Sequence, residues 1–305
     1  MHRQAMKLMG NRFEITVVSD DALWAIDCIA KAVAEISRIE QLFSTFKPDS
    51  ATNLINDNAG LKPVAVDREV IDLVQRSLRI SRLTQGAFDI SYGSIDKSLW
   101  NFDQTMTALP DVATAKEMVR LINYNNIIVD ELHNTIFLKE KGMRIGFGGI
   151  GKGYAAEKAK QLLMSLGVEN GIVNASGDLT TWGVQPDGQP WTVGIAHPDK
   201  ATTPFSTLNI SNMAIATSGN YEKYIIINGE KYSHTINPRT GLPVKGIKSV
   251  TVICLNAELA DAMATPLMIM GLEAGLYLIN QMKGIEYIII DENNKIFSSE
   301  NINLI

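Results

Sequence analysis

The sequence predicts an α+β fold. Three observations carry that expectation. From Gly171 to Val252 the chain reads mostly as short strands separated by turns. Asn228-Gly229, between two of those strands, is the strongest hairpin signal in the chain. The strands follow one another without crossover helices, so they pair antiparallel and the helices pack as separate elements.

Each element has a local reason. Phe13 to Val18 alternates like a strand. Asp20 and Asp21 then cap a long helix reaching about Phe43, with apolar positions at helical spacing. Phe43 to Ser50 is a loop. Asp67 caps a second helix that runs to about Thr84. Residues 86–110 lack a clear period and hold aromatics, which suits a structured loop. A third helix follows Asp111. Asn126 to Asp130 and Thr135 to Lys139 are strands around a short turn. The glycine-rich run from Ile145 to Tyr154 leads into a helix ending near Gly167. Strands are expected at Ile172 to Ala175, Trp191 to Ala196, Thr207 to Ile210, Lys223 to Ile227 and Lys231 to Thr235. Helices return at about Ala257 to Gly271 and Glu273 to Met282. Tyr287 to Ile290 and Lys295 to Phe297 close the chain as a strand pair. A single unit over residues 1–305 is expected, with 86–125 as a candidate smaller subdomain.

The bulk composition narrows the function classes. With 305 residues, 46% of them hydrophobic and 20% charged, the chain has the make-up of a globular protein with ample core. A net charge of −5 leaves no footprint for a phosphate backbone or an anionic membrane, so nucleic acid is not an expected partner. Cys28, in an apolar helical pattern, and Cys254, ending a β-branched run, read as small buried hydrophobes. No apolar run approaches the roughly 20 residues needed to span a bilayer. The N-terminus has no apolar core of a leader and no lipid-attachment cysteine, so the chain as printed is expected in the cytoplasm. With a leader removed, it would be periplasmic or membrane-anchored.

Four segments carry candidate chemistry. Gly146, Gly148, Gly149, Gly151 and Gly153 precede or open a helix. Glycines let a backbone approach a ligand closely, and a helix N-terminus offers N–H groups and a positive dipole end to a pyrophosphate. Lys152 adds a formal charge there. The spacing is neither a Walker loop nor a Rossmann fingerprint. A phosphate cradle and a plain strand-to-helix turn both remain open. Asp261 and Thr265 are four apart and share one helix face. A carboxylate with a hydroxyl is a hard-oxygen pair suited to Mg²⁺, though a solvated helix face has the same pattern. Pro266 cannot donate to the Ala262 carbonyl, so a kink or a free carbonyl is expected there. Ala87-Phe88-Asp89 and Leu99-Trp100-Asn101-Phe102 place aromatics near a carboxylate, as a planar ligand or a loop core would need. Phe43 and Phe46 admit the same two readings. Finally, His234 stands at a strand end just before the turn Pro238-Arg239-Thr240-Gly241. A pKa near neutrality makes histidine the usual general base.

Taken together and in order, these segments resemble the ApbE family, the FAD:protein FMN transferases. Met9-Gly10-Asn11 is similar to the family's Met-Gly-Thr start. Phe43 to Ser50 resembles its Ser-x-Tyr-x-x-x-Ser loop, and Gly86-Ala87-Phe88-Asp89-Ile90-Ser91 its Gly-x-Phe-Asp-Pro-Thr. The glycine run resembles Asp-Leu-Gly-Gly-Ile-Ala-Lys-Gly-Tyr-Ala, and Asn174-Ala175-Ser176-Gly177-Asp178 resembles Asn-x-Gly-Gly-Asp. Thr217-Ser218-Gly219-Asn220-Tyr221, the His234 segment and Ala260 to Thr265 match further blocks. Three positions depart: Gly146 and Asn237 stand where the family has Asp, and Gly151 where it has Ala.

The resemblance implies an ApbE-like, T-fold-related arrangement of antiparallel sheets with packed helices. It implies FAD as substrate, its pyrophosphate near the glycine loop and Lys152. Met9, Phe46, Ala87, Phe88, Asp89, Gly146 and Ile236 would line the nucleotide site. Mg²⁺ would be held by Asp261, Thr265 and the backbone oxygen of Gly149. His234 would take a proton from a Ser or Thr hydroxyl of an acceptor flavoprotein, which receives FMN as AMP leaves. Asn237 in place of Asp would leave the histidine less basic. An FAD pyrophosphatase giving FMN and AMP, and a non-catalytic FAD-binding protein, are the alternative readings.

Overall fold

Strand register organises the molecule. β1 (His2–Leu8) and β2 (Asn11–Val17) form an antiparallel hairpin, and β2 pairs with β6 (Gly171–Ala175). β7 (Asp178–Trp182), β10 (Ala214–Gly219), β13 (Ile247–Cys254), β14 (Ile285–Asp291) and β15 (Ile296–Ser298) extend it. The result is an eight-stranded sheet of order β1-β2-β6-β7-β10-β13-β14-β15, antiparallel at every pairing. The computed structural model describes residues 1–96, 98, 107–198, 200–220 and 224–302. Leu99 to Phe102, Tyr221 and Lys223 lie outside the described residues.

Side chains alternate across this sheet, as a pleated strand requires. Val250, Val252 and Cys254 of β13 point into one core and Ile253 into another. Ala214 and Ala216 divide from Ile215 in the same way, and Tyr287 and Ile289 from Ile288. The first core is closed by helices α1 (Ala22–Phe43), α5 (Gly151–Ser165) and α6 (Ala257–Met270). The second is closed by the ribbon of β8 (Trp191–His197) and β9 (Lys200–Ile210). The central strands are therefore buried on both faces. That is why β7 and β10 show no polar-apolar alternation in the sequence and are not predicted there. β1 and the short helix α2 (Ala51–Asp57) are also unpredicted.

The long helix is where its caps and period place it. Asp21 accepts the Trp24 N–H at 3.0 Å. Ala25, Cys28, Ile29, Ala32, Ile36, Ile39 and Phe43 form one buried stripe. α3 (Arg68–Leu83) starts after Asp67 as predicted, but the Asp67 side chain makes no capping bond, whereas Asp111 accepts the Ala113 and Thr114 N–H groups ahead of α4 (Val112–Met118). The smaller sheets are β3 (Val64–Ala65), β5 (Thr135–Leu138) and β4 (Ile127–Asp130), and the hairpin of β11 (Tyr224–Ile227) and β12 (Glu230–Ser233). Its turn has φ of 52° at Asn228 and 82° at Gly229, the two positive values a tight hairpin needs. β12 ends at Ser233, so His234 lies just past the strand. α7 (Leu272–Ile279) follows α6 directly. Pro266 sits inside α6, which continues to Met270, and it has no N–H to give to the Ala262 carbonyl.

α5 and α6 cross in near contact at Gly153. A Cβ there would stand 2.1 Å from the Ala257 carbonyl oxygen and 2.7 Å from the Asp261 Cβ. Gly146 is different, since a Cβ there meets only Thr45 Cγ2, at 3.5 Å. Gly153→Ala is expected to cost about 3 kcal/mol in urea unfolding, and Gly146→Ala to stay within about 0.5 kcal/mol. Equal stability of the two variants would show that the helices can part without penalty.

Candidate active site

The glycine run is fixed from outside before it turns into α5. Asn56 of α2 receives the Ile145 N–H at 2.7 Å and donates back to the Ile145 carbonyl at 3.0 Å. Asn53 donates to the carbonyls of Thr45 (3.0 Å) and Lys47 (2.9 Å), and Arg144 donates to its side-chain oxygen. One polar helix thus braces both the loop holding Phe46 and the entry to the glycine run. Gly146 donates to the Ile90 carbonyl at 2.8 Å. Ile150, the cap residue of α5, makes no side-chain capping bond. The helix start is served instead by Asp261, whose Oδ2 accepts the Gly153 N–H at 2.9 Å.

A buried charge cluster forms around that helix start. The Lys152 ammonium pairs with Asp178 and lies 3.8 Å from Asp261 Oδ1. Asp178 begins β7 after a turn at Ser176 and Gly177, where Asn174 accepts the Gly177 N–H at 2.8 Å. Its other oxygen accepts the Thr217 N–H at 3.3 Å. One turn along α6 from Asp261, the Thr265 hydroxyl meets that of Ser218 at 2.6 Å. The Asp261 carboxyl is raised to about 7: burial is the largest cause, Lys152 opposes it, Asp178 adds to it and the α5 amides oppose it. Two carboxylates share one ammonium here, which leaves the spot formally negative. Among the described residues no group of three or more His, Cys, Asp or Glu gathers as a metal cage. The donors present are carboxylate and hydroxyl oxygens, the hard type that suits Mg²⁺, an ion that takes few protein ligands.

The apolar candidates divide. Met9 sits at the β1–β2 turn with φ 51°, and its methyl carbon is 3.6 Å from where a Cβ on Gly151 would be. The Phe88 ring lies 3.7 Å from the equivalent point on Gly149. Ala87 and Phe88 are both buried. Asp89 is committed to the fold: Oδ1 accepts from the Ser91 N–H (2.8 Å) and hydroxyl (2.6 Å), and Oδ2 from the Tyr124 N–H (2.8 Å). Burial raises its carboxyl, and those bonds partly offset the shift. Phe43 is core, edge-on to Phe147 at 5.0 Å. Phe46 is 95% exposed.

The histidine turn is held as a unit. His234 is half-buried. Asn237 accepts the Arg239 N–H on its side-chain oxygen at 2.9 Å, and its own N–H reaches the Leu242 carbonyl at 2.9 Å. The bond from the Arg239 N–H needs only a side-chain acceptor oxygen at 237, which Asn and Asp both supply. Ile236 buries its side chain among Met118, Val119, Ile225 and Tyr232, so only its backbone faces outward contacts. Tyr92 packs against the same cluster, and burial pushes its hydroxyl up to about 12, with the Ile236 backbone pulling it down. Arg239 donates to the Gln85 carbonyl. The chain from Gln85 to Tyr92 thus touches the glycine run through Phe88 and Ile90, and the histidine turn through Gln85 and Tyr92.

Asp178, Thr217 and Ser218 lie in motifs quoted above, yet nothing in their spacing marks them as partners of Lys152 and Thr265. The signal is the pairing of β7 with β10, Ala214 opposite Thr180 and Ile215 opposite Leu179. Two surface clefts, of about 380 and 440 Å³, run along α3, and neither is lined by Lys152, Asp261 or His234. Cleft size is therefore a poor guide here, and the charge cluster a better one.

Comparison with known proteins identifies relatives of the whole chain. The chain is 30% identical over 295 residues to an FAD:protein FMN transferase of Klebsiella pneumoniae, covering 96% of this chain and 90% of that one. It is 31% identical over 294 residues to the FAD:protein FMN transferase of Escherichia coli K12, covering 94% and 84%. Its fold matches the crystal structure of the ApbE protein from Thermotoga maritima with a TM-score of 0.88 at 28% identity, over 98% of this chain and 97% of that one. The apo flavinyl transferase ApbE of Pseudomonas stutzeri matches with a TM-score of 0.85 at 25% identity, over 98% and 94%. The family model for ApbE matches residues 9–289, nearly the whole length, and the chain belongs to the ApbE family.

Proposed function

We propose that this chain is an FAD:protein FMN transferase that moves FMN from FAD to a Ser or Thr hydroxyl of an acceptor flavoprotein and releases AMP. The observation that carries the reading is the buried Lys152–Asp178–Asp261 cluster at the start of α5, in a chain whose relatives bear that name. Lys152 and the glycine run would bind the pyrophosphate of FAD. Met9, Phe46, Ala87, Phe88, Gly146 and the backbone of Ile236 would line the rest of the nucleotide site, and Asp89 would hold that wall in shape. Mg²⁺ on Asp261, Thr265 and the Gly149 carbonyl would offset charge on the phosphates and on the leaving AMP.

His234 would accept the proton of the acceptor hydroxyl, which is a poor nucleophile while protonated. The hydroxyl oxygen then bonds the FMN phosphorus, the bond to the bridging oxygen of the pyrophosphate breaks, and AMP leaves with that electron pair. Asn237 would shape the turn that presents His234. Water in place of the hydroxyl would give FMN and AMP, so the acceptor decides between transfer and hydrolysis.

The direct test is intact-mass spectrometry of an acceptor domain after incubation with the chain, FAD and Mg²⁺. A gain equal to an FMN moiety, with AMP released, is expected. Free FMN and AMP without labelling would make the chain a hydrolase, and intact FAD would make it a binding protein. His234→Ala should slow labelling by about 10²- to 10⁴-fold while FAD binding persists. Undiminished labelling would remove His234 from the reaction.

Asp261 also gives a pH dependence. Its carboxyl titrates near 7 in the folded chain and near 3.9 when unfolded. Between those values the folded state holds a proton the unfolded state lacks, so stability without a cation falls as pH rises through that window. A divalent cation needs the ionised carboxylate. The rise in Tm on adding Mg²⁺ should therefore be larger at pH 8 than at pH 5.5, and absent in Asp261→Asn. The same Mg²⁺ effect at both pH values would show that the ion does not meet this carboxylate.

A further inference from the structure

The proposed reaction uses Lys152 and Asp261 and leaves Asp178 without a role. Yet Asp178 is 4% exposed and directly holds the ammonium that the reaction needs. The ammonium has two buried carboxylates within reach. It is paired with Asp178 and stands 3.8 Å from Asp261 Oδ1. The other oxygen of Asp261 is taken by the Gly153 N–H at 2.9 Å. Oδ1 is thus the oxygen that a cation would compete for. An ammonium that lost Asp178 would be drawn toward Asp261 Oδ1, the opposite charge already 3.8 Å away.

We propose that Asp178 is a positioning residue that keeps the Lys152 ammonium off Asp261 Oδ1, so that one carboxylate serves the lysine and the other stays open to a divalent cation. Without it, Lys152 closes on Asp261 and acts as a built-in competitor of the ion. The inference rests on the reading that Asp261 takes a divalent cation. Asp178 is well mounted for this task. Its second oxygen accepts the Thr217 N–H at 3.3 Å, and it sits at the start of β7, the fourth strand of the main sheet, with β6 and β10 on either side. Asp178→Asn keeps the shape and an acceptor for Thr217 and removes only the charge that retains the ammonium.

A bare electrostatic role would draw the cation directly, whatever Lys152 does. A double-mutant cycle separates the two cases. The probe is Mn²⁺, titrated by calorimetry into the full chain without FAD or acceptor. Asp178→Asn should weaken Mn²⁺ binding by about tenfold, Lys152→Met should leave it equal or tighter, and Asp178→Asn in the Lys152→Met background should change it by less than about twofold. The same loss in both backgrounds would overturn the proposal, since Asp178 would then act on the ion itself. Weaker binding by Lys152→Met would overturn it as well, even where Asp178→Asn fails to fold. No Mn²⁺ binding by the unaltered chain would overturn the cation reading first, and this inference with it.

Discussion

The site depends on how closely α5 and α6 approach. No side chain can stand between them at residue 153, where a Cβ would fall 2.1 Å from the Ala257 carbonyl oxygen. That closeness lets a carboxylate on α6 cap the amide end of α5. The same carboxylate is thereby buried, raised in pKa and held beside Lys152. Cap, charge cluster and helix crossing are one arrangement. A wider crossing would free the helix start to find an ordinary local cap, and Asp261 would return to solvent.

A second dependence runs through the segment from Gln85 to Tyr92. It has little regular structure, only a short 3₁₀ turn at Ile90–Ser94. Its order comes from Asp89, which gathers Ser91 and Tyr124 on its two oxygens. So fixed, the segment leans Phe88 on the glycine run and offers Gln85 and Tyr92 to the histidine turn. Gly241 locks that turn from the other side, where a Cβ would meet the Ala115 carbonyl oxygen at 1.9 Å.

Local chemistry was legible in the sequence and long-range pairing was not. α1 announces itself by Asp21 and a seven-position apolar stripe, and Asn228-Gly229 forms the hairpin its residues call for. Asp261 and Thr265 needed only helical spacing to be placed on one face. β7 and β10 escaped notice because both of their faces are buried, which erases the alternation that marks a strand. α2 escaped because its asparagines point inward as braces rather than outward as a polar face. The pairing of Lys152 with Asp178 exists only through the order of strands in the sheet. Asp89 also orders its own segment through Ser91 and Tyr124, which motif similarity alone does not reveal.

Phe46 remains the odd residue of the braced loop. Asn53 pins the carbonyls on either side of it, yet its ring is left almost wholly in water. A buried phenylalanine would return about 1.5–3 kcal/mol that this one forgoes. Because its backbone is already fixed, little of that sum would be spent on ordering the loop. The fold thus carries a store of unrealised hydration energy on a rigid mount, available to whichever flat surface comes to lie on it.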